Sequence, residues 1–89
     1  MFEVNAKSSV LKVISRLDSK RKERIKEVIL TLKENPIPFR AYDVAKLRGY
    51  DNVYRIRIGD LRLIYEVLWT GRKIVIQRIE PRESAYEGL

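Results

Sequence analysis

Three arginines lie close together in a stretch that reads as β-strand. In Val53-Tyr54-Arg55-Ile56-Arg57-Ile58 the residue types alternate, and successive side chains of a strand point to opposite faces. Tyr54, Ile56 and Ile58 therefore share one face, and Val53, Arg55 and Arg57 the other. Gly59-Asp60 reads as a two-residue hairpin loop, which puts Ile58 opposite Leu61 and fixes the rest of the register. Arg57 then faces Arg62, Ile56 faces Leu63, Arg55 faces Ile64 and Tyr54 faces Tyr65. One face is continuously apolar, and the other gathers Arg55, Arg57 and Arg62.

Like charges directly across a strand pair destabilise it by up to about 1 kcal/mol. A sheet selected for stability alone would more often set Glu or Thr against Arg57. With nothing acidic expected directly opposite, the three-arginine patch suits a bound phosphate or a developing phosphorane, because guanidinium offers bidentate, permanently charged donors. The bland alternative is a half-solvated sheet in which Asp60 and Glu66 screen the pair. The chain has no histidine and no cysteine, so the usual zinc ligand sets, a disulfide staple and a two-histidine ribonuclease site are all excluded. No metal and no cofactor are expected. Charge stabilisation by preorganised guanidinium groups remains, and it can be the largest single catalytic effect.

The elements that must hold this face are legible on both sides of it. Phe2 to Val4 reads as a short strand. From Asn5 or Ser8, Val10, Val13, Ile14 and Leu17 recur at helical spacing. Asp18-Ser19 interrupts that pattern and offers an N-cap, after which Ile25, Val28, Ile29 and Leu32 repeat it until Asn35-Pro36. The two amphipathic helices form a hairpin whose outer face, Lys20, Arg21, Lys22, Arg24 and Lys26, reads as solvated. A connecting stretch runs from Pro36 to about Asn52. Val53 to Ile58, Leu61 to Trp69 and Lys73 to Glu80 then form a meander of three strands, ended by Pro81. The segment from Arg82 to Leu89 reads as one helical turn or a frayed end. The expected fold is α+β in the order β-α-α-β-β-β, a small antiparallel sheet with a helical hairpin packed on one face.

With 89 residues there is room for one core, so a single domain over 1–89 is expected. Nineteen Lys and Arg against twelve Asp and Glu give a net charge of +7, which favours a polyanionic partner, nucleic acid ahead of membrane. A charge-rich surface adapted to heat is the alternative. No apolar run approaches the length of a membrane span, and Met1-Phe2-Glu3 does not open a secretory signal. A cytoplasmic protein is expected.

Lys46-Leu47-Arg48-Gly49, Tyr54-Arg55-Ile56-Arg57-Ile58-Gly59-Asp60 and Arg62-Leu63-Ile64-Tyr65 resemble the central signature of the RelE/ParE superfamily of toxin–antitoxin toxins. The likeness runs from about Phe2 to Tyr86 and is stronger to the RelE branch, particularly its archaeal members. That resemblance implies a RelE-like fold and a toxin that binds the ribosomal A site. There it would act as an endoribonuclease (an mRNA interferase) without metal, the ribose 2′-OH being the nucleophile. It implies Arg62, Arg82 and Tyr86 as catalytic residues: Arg62 on the scissile phosphate, Arg82 after the last strand, and Tyr86 stacking on a base or assisting proton transfer. Lys46, Arg48, Arg55 and Arg57 would bind RNA or phosphate. Arginine does not act as a general base, which leaves that role to Tyr86, Lys46 or the ribosome. Such an enzyme would be poor on free RNA and effective where the ribosome orients it. The partners implied are the ribosome with its messenger RNA and a cognate antitoxin laid over the basic face. Phe39, Tyr50 and Trp69 are candidate anchors for that antitoxin, or else core and core edge. Two other functions stay open: DNA gyrase inhibition in the manner of ParE, and a non-catalytic module binding RNA or the ribosome.

Overall fold

A computed structural model describes residues 1–81 of the chain. In chain order the elements are β1 (Glu3–Ala6), α1 (Ser8–Ser15), α2 (Ser19–Glu34), β2 (Asp43–Lys46), β3 (Val53–Ile58), β4 (Leu61–Leu68) and β5 (Lys73–Pro81). The five strands form one sheet in the order β1-β5-β4-β3-β2. The helical hairpin and the meander are therefore as expected, with two corrections. The sheet is mixed rather than antiparallel, because β1 runs parallel to β5, Glu3 beside Lys73 and Ala6 beside Ile76. The connecting stretch also contains a strand of its own: β2 pairs antiparallel with β3, Asp43 opposite Arg57 and Lys46 opposite Tyr54. Four residues at a sheet edge carry too little alternation to announce themselves.

The core lies between the helices and one sheet face. Val10 of α1 and Ile25, Val28 and Leu32 of α2 meet Ile56 and Ile58 of β3, Leu61, Leu63, Tyr65 and Val67 of β4, and Ile74, Ile76 and Ile79 of β5. Tyr65 is fully buried. Its ring stacks on Tyr54 at 5.8 Å, and its hydroxyl donates to the Pro36 carbonyl at 2.7 Å, so its one polar atom is satisfied. Asn35 ends α2 in an extended conformation, as the residue before proline must, and its side-chain oxygen accepts from the Ile37 N–H at 3.0 Å.

The β3–β4 hairpin has the register expected from the sequence, Arg57 opposite Arg62 and Ile58 opposite Leu61. Gly59 takes φ +60°, as the first central residue of a type II′ turn requires. The turn is tied to the base of α2. Arg21 donates from Nε to Asp60 Oδ1 at 3.0 Å and from Nη2 to Asp60 Oδ2. The face of α2 read as solvated is thus partly structural. Asp18 occupies the N-cap position, but its side chain makes no capping bond; it accepts from Arg21 Nη1 at 2.8 Å instead.

β5 departs from regular pairing at one point. Ile64 of β4 lies beside Arg78 while the next residue, Tyr65, lies beside Ile76. Gln77 is therefore the extra residue of a β-bulge. The bulge reconciles the spacing of the three buried isoleucines, 74, 76 and 79, with a single covered face. It also sends Arg78 and Glu80 to the open side, opposite Ile64 and Arg62.

Candidate nucleic-acid interface

The open face of the sheet carries Arg55 and Arg57 from β3 and Arg62 from β4, as the strand alternation requires. The correction concerns their surroundings. β2 sets Asp43 directly opposite Arg57, and β5 sets Glu80 directly opposite Arg62, so acidic residues do stand across from the arginines. They do the screening assigned to Asp60 and Glu66. Asp60 is engaged by Arg21, and Glu66 accepts a hydrogen bond from Gln77 Nε2 at 3.4 Å.

The distances decide what that screening leaves. Arg55 Nη2 and Arg57 Nη1 each stand 3.6 Å from an oxygen of Asp43, and Arg62 Nη1 stands 3.9 Å from Glu80 Oε1. Charge-assisted hydrogen bonds are about 2.7–2.9 Å long, so these pairs compensate charge without occupying donors. Arg55 Nη1 and Arg62 Nε are buried and have no protein partner. A buried donor left without a partner costs about 1–3 kcal/mol. Arg21 is the contrast within the same molecule: three of its guanidinium nitrogens bond to carboxylate oxygens of Asp18 and Asp60. Those contacts raise its pKa above the ordinary arginine value, chiefly through Asp60, and Arg21 in return holds the Asp60 and Asp18 carboxyls below theirs. Arg21 is a fastening, whereas Arg55 and Arg62 keep donors to spare.

Beside Arg62 lies a groove of about 470 Å³, lined by Leu47, Tyr50, Val53, Ile64, Glu66, Gln77, Arg78 and Glu80 as well as Arg62. Its apolar part comes from Leu47, Val53 and Ile64, the last nearly buried although it belongs to the open face. The turn after β2 supplies Tyr50. The Tyr50 N–H approaches the Leu47 carbonyl at 3.4 Å, and Gly49 takes φ +88°, the third-position conformation of a type II turn.

The other predicted site residues fall differently. Arg48 is exposed in that same turn. Lys46 is exposed at the sheet edge, but its register opposite Tyr54 puts it on the helix side, away from the arginines. Arg82 and Tyr86 lie outside the described residues. Phe39, Tyr50 and Trp69 are 67%, 61% and 45% exposed, so none belongs to the core. Sequence reasoning missed Asp43, Glu80, Arg78 and Gln77 as residues of this face. For the β5 residues a signal existed, since buried isoleucines spaced by two and then three residues can share a face only through a bulge.

Among the described residues no group of three carboxylates is placed to hold a metal, and no helix is long and apolar enough to cross a membrane. Residues 1–86 match the family described as the ParE toxin of type II toxin–antitoxin systems, parDE. The chain is 45% identical over 86 residues to the RelE1 toxin chain of Methanocaldococcus jannaschii, covering 97% of this chain and 96% of that one. The fold is similar to RelE in the archaeal RelE–RelB complex of Pyrococcus horikoshii OT3, with TM-score 0.85, 34% identity and coverage of 91% and 94% of the two chains. It is also similar to a chain of the RelB–RelE complex of Methanococcus jannaschii, with TM-score 0.76, 27% identity and coverage of 94% and 96%. On the sequence, the fold and the basic face together, the chain belongs to the RelE/ParE toxins of type II toxin–antitoxin systems.

Proposed function

We propose that this toxin is a ribosome-dependent endoribonuclease that cuts messenger RNA in the A site and is neutralised by a cognate antitoxin. The observation that carries this reading is the unspent pair of buried donors, Arg55 Nη1 and Arg62 Nε, on a sheet face where the nearest carboxylates stand too far off to bond. A phosphate between β3 and β4 would take up both once the two guanidinium groups turn to present them. As the ribose 2′-OH attacks, charge builds on the non-bridging oxygens, and the guanidinium groups drawn onto the phosphate stabilise it. Arg62 is the scissile-phosphate residue, with Arg55 beside it. Arg57 is 43% exposed on its side chain against 15% for Arg55, and serves as a steering charge. Arg48 extends the basic surface along the strand path, and Lys46 meets the backbone only from the sheet edge. Arg82 and Tyr86 are the remaining catalytic residues of this reading. The chemistry needs no metal, and the ribosome supplies the orientation that this open groove does not.

An antitoxin would lay an acidic or extended segment over the basic face. The RelE chains of the P. horikoshii and M. jannaschii structures are each held with RelB, which supports such a partner here. The exposed Phe39, Tyr50 and Trp69 are suitable anchors for it. One observation favours a second reading, gyrase inhibition by binding alone: the matching family is described by the name ParE. The experiment that separates the two is primer extension on messenger RNA in a purified translation system with wild-type protein and Arg62→Ala. The expected result is discrete A-site cuts that need ribosomes and fall by 100-fold or more in the variant, on the order of the loss when a preorganised charge-stabilising donor is removed. Intact message in every lane, with gyrase supercoiling blocked equally by both proteins, would favour the second reading.

A further inference from the structure

Glu66 stands apart from the other acids of the open face. Asp43 and Glu80 each lie within ion-pair distance of arginines, whereas Glu66 forms no ion pair with a described residue and meets only the Gln77 amide, at 3.4 Å. Gln77 is the residue that the β5 bulge inserts, and bulges beside functional sites re-aim a side chain. Both line the groove, where Val53 stands directly across the β3–β4 pair from Glu66, Ile64 lies between Glu66 and Arg62 on β4, and Tyr50 and Leu47 add further walls. From Arg62 to Glu66 is four residues along β4, about 13 Å. One nucleotide spans that distance, from its phosphate to the outer edge of its base, with the reach of the two side chains included.

We infer that Glu66 and Gln77 read the edge of an RNA base and select guanine at one position of the cleaved triplet. The inference rests on the RNA-cutting reading above and names what that site prefers. Unstacked bases are recognised by stacking on aromatic rings and by hydrogen bonds to their Watson–Crick edges. A carboxylate offers two acceptors side by side and no donor. Guanine alone presents two adjacent donors on that edge, N1–H and the N2 amino group, with the O6 acceptor next to them. Glu66 takes the two donors, and Gln77 donates to O6. Adenine and cytosine would set a ring-nitrogen lone pair against the carboxylate, and uracil flanks its single N–H with two carbonyls. Tyr50, more than half exposed over the groove, supplies the stacking surface. In so basic a chain, a carboxylate left without an ion pair on the face that carries three arginines weakens phosphate binding, and a base-reading role accounts for its presence.

The test uses the full-length protein, programmed ribosomes and two templates. One carries guanines in the A-site triplet, and in the other each guanine is replaced in turn by inosine, which lacks the N2 amino group. Wild-type protein is expected to cut roughly tenfold more slowly when one particular guanine becomes inosine, the usual scale of a bidentate base contact. Glu66→Gln is expected to cut the two templates at equal rates, with a melting temperature unchanged from wild type. A wild-type rate indifferent to inosine at every position would overturn the inference, and that measurement needs no variant to fold. So would a Glu66→Gln protein that keeps the wild-type ratio of guanine to inosine cutting. Absence of any cut by wild-type protein would instead remove the RNA-cutting reading and this inference together.

Discussion

At the scale of single residues, the chain uses arginine in two ways that a sequence writes identically. Arg21 has three guanidinium nitrogens bonded to carboxylates and fastens a helix to a turn. Arg55 and Arg62 face carboxylates at 3.6 and 3.9 Å and keep a buried nitrogen each without a partner. Only the second arrangement is suited to receive an anion. Arg57 lies between the two, since it shares Asp43 with Arg55 but is more open to solvent. A guanidinium so placed adds mainly long-range attraction. Arg57→Gln is accordingly expected to weaken ribosome or RNA binding uniformly across sequences, and to flatten the slope of log affinity against log salt by about 0.7, one contact on single-stranded nucleic acid. Titrations between low and physiological salt check this, and an unchanged slope would mean that Arg57 makes no phosphate contact.

At the scale of elements, the three-strand meander was legible and the edge strand β2 was not. A two-residue loop with glycine first left one possible register, so Arg57 opposite Arg62 followed from alternation alone. β2 was hidden because Asp43-Val44-Ala45-Lys46 is short, lies at an edge and has only one strongly β-forming residue. Overlooking it meant overlooking the carboxylate that sits between Arg55 and Arg57. Phe39, Tyr50 and Trp69 stayed open between anchor and core because aromatic residues usually bury, and only tertiary structure shows that these lie at turns with much of their surface exposed. Tyr65 is the opposite case, an aromatic from the signature stretch that holds β4 to the chain after α2. Burial, with Tyr54 as a lesser cause, raises its phenol above the ordinary 10.0. Tyr65→Phe is expected to cost about 1 kcal/mol at neutral pH, the net worth of one hydrogen bond. Because the folded-state value is raised, wild-type stability is undiminished below about pH 10 and declines as the pH climbs beyond it. The phenylalanine variant lacks that alkaline decline, and urea melts at pH 7 and pH 10.5 distinguish the two.

At the scale of the molecule, a single apolar layer separates two surfaces with different duties. The helices shield one side of the sheet, and the charged side is left open along three strands. With a net charge of +7 the domain is drawn to polyanions before any specific contact forms. Induced expression without an antitoxin is expected to arrest growth, and Arg62→Ala under the same promoter is expected to restore it. Optical density and colony counts after induction check this; equal arrest by both proteins would place the toxic action elsewhere on the surface.

The extra residue in β5 ties the two sides of the sheet together by counting. Up to Ile76 the even positions face the helices, and after Gln77 the odd ones do. A chain of the same length paired regularly from its turn onward, with no bulge, would expose Ile79 and bury Arg78 and Glu80. Aligning relatives across this point without allowing for the insertion would match core positions to site positions from Arg78 onward. The placement of every charge that β5 contributes to the site therefore depends on one residue that pairs with nothing in the ladder.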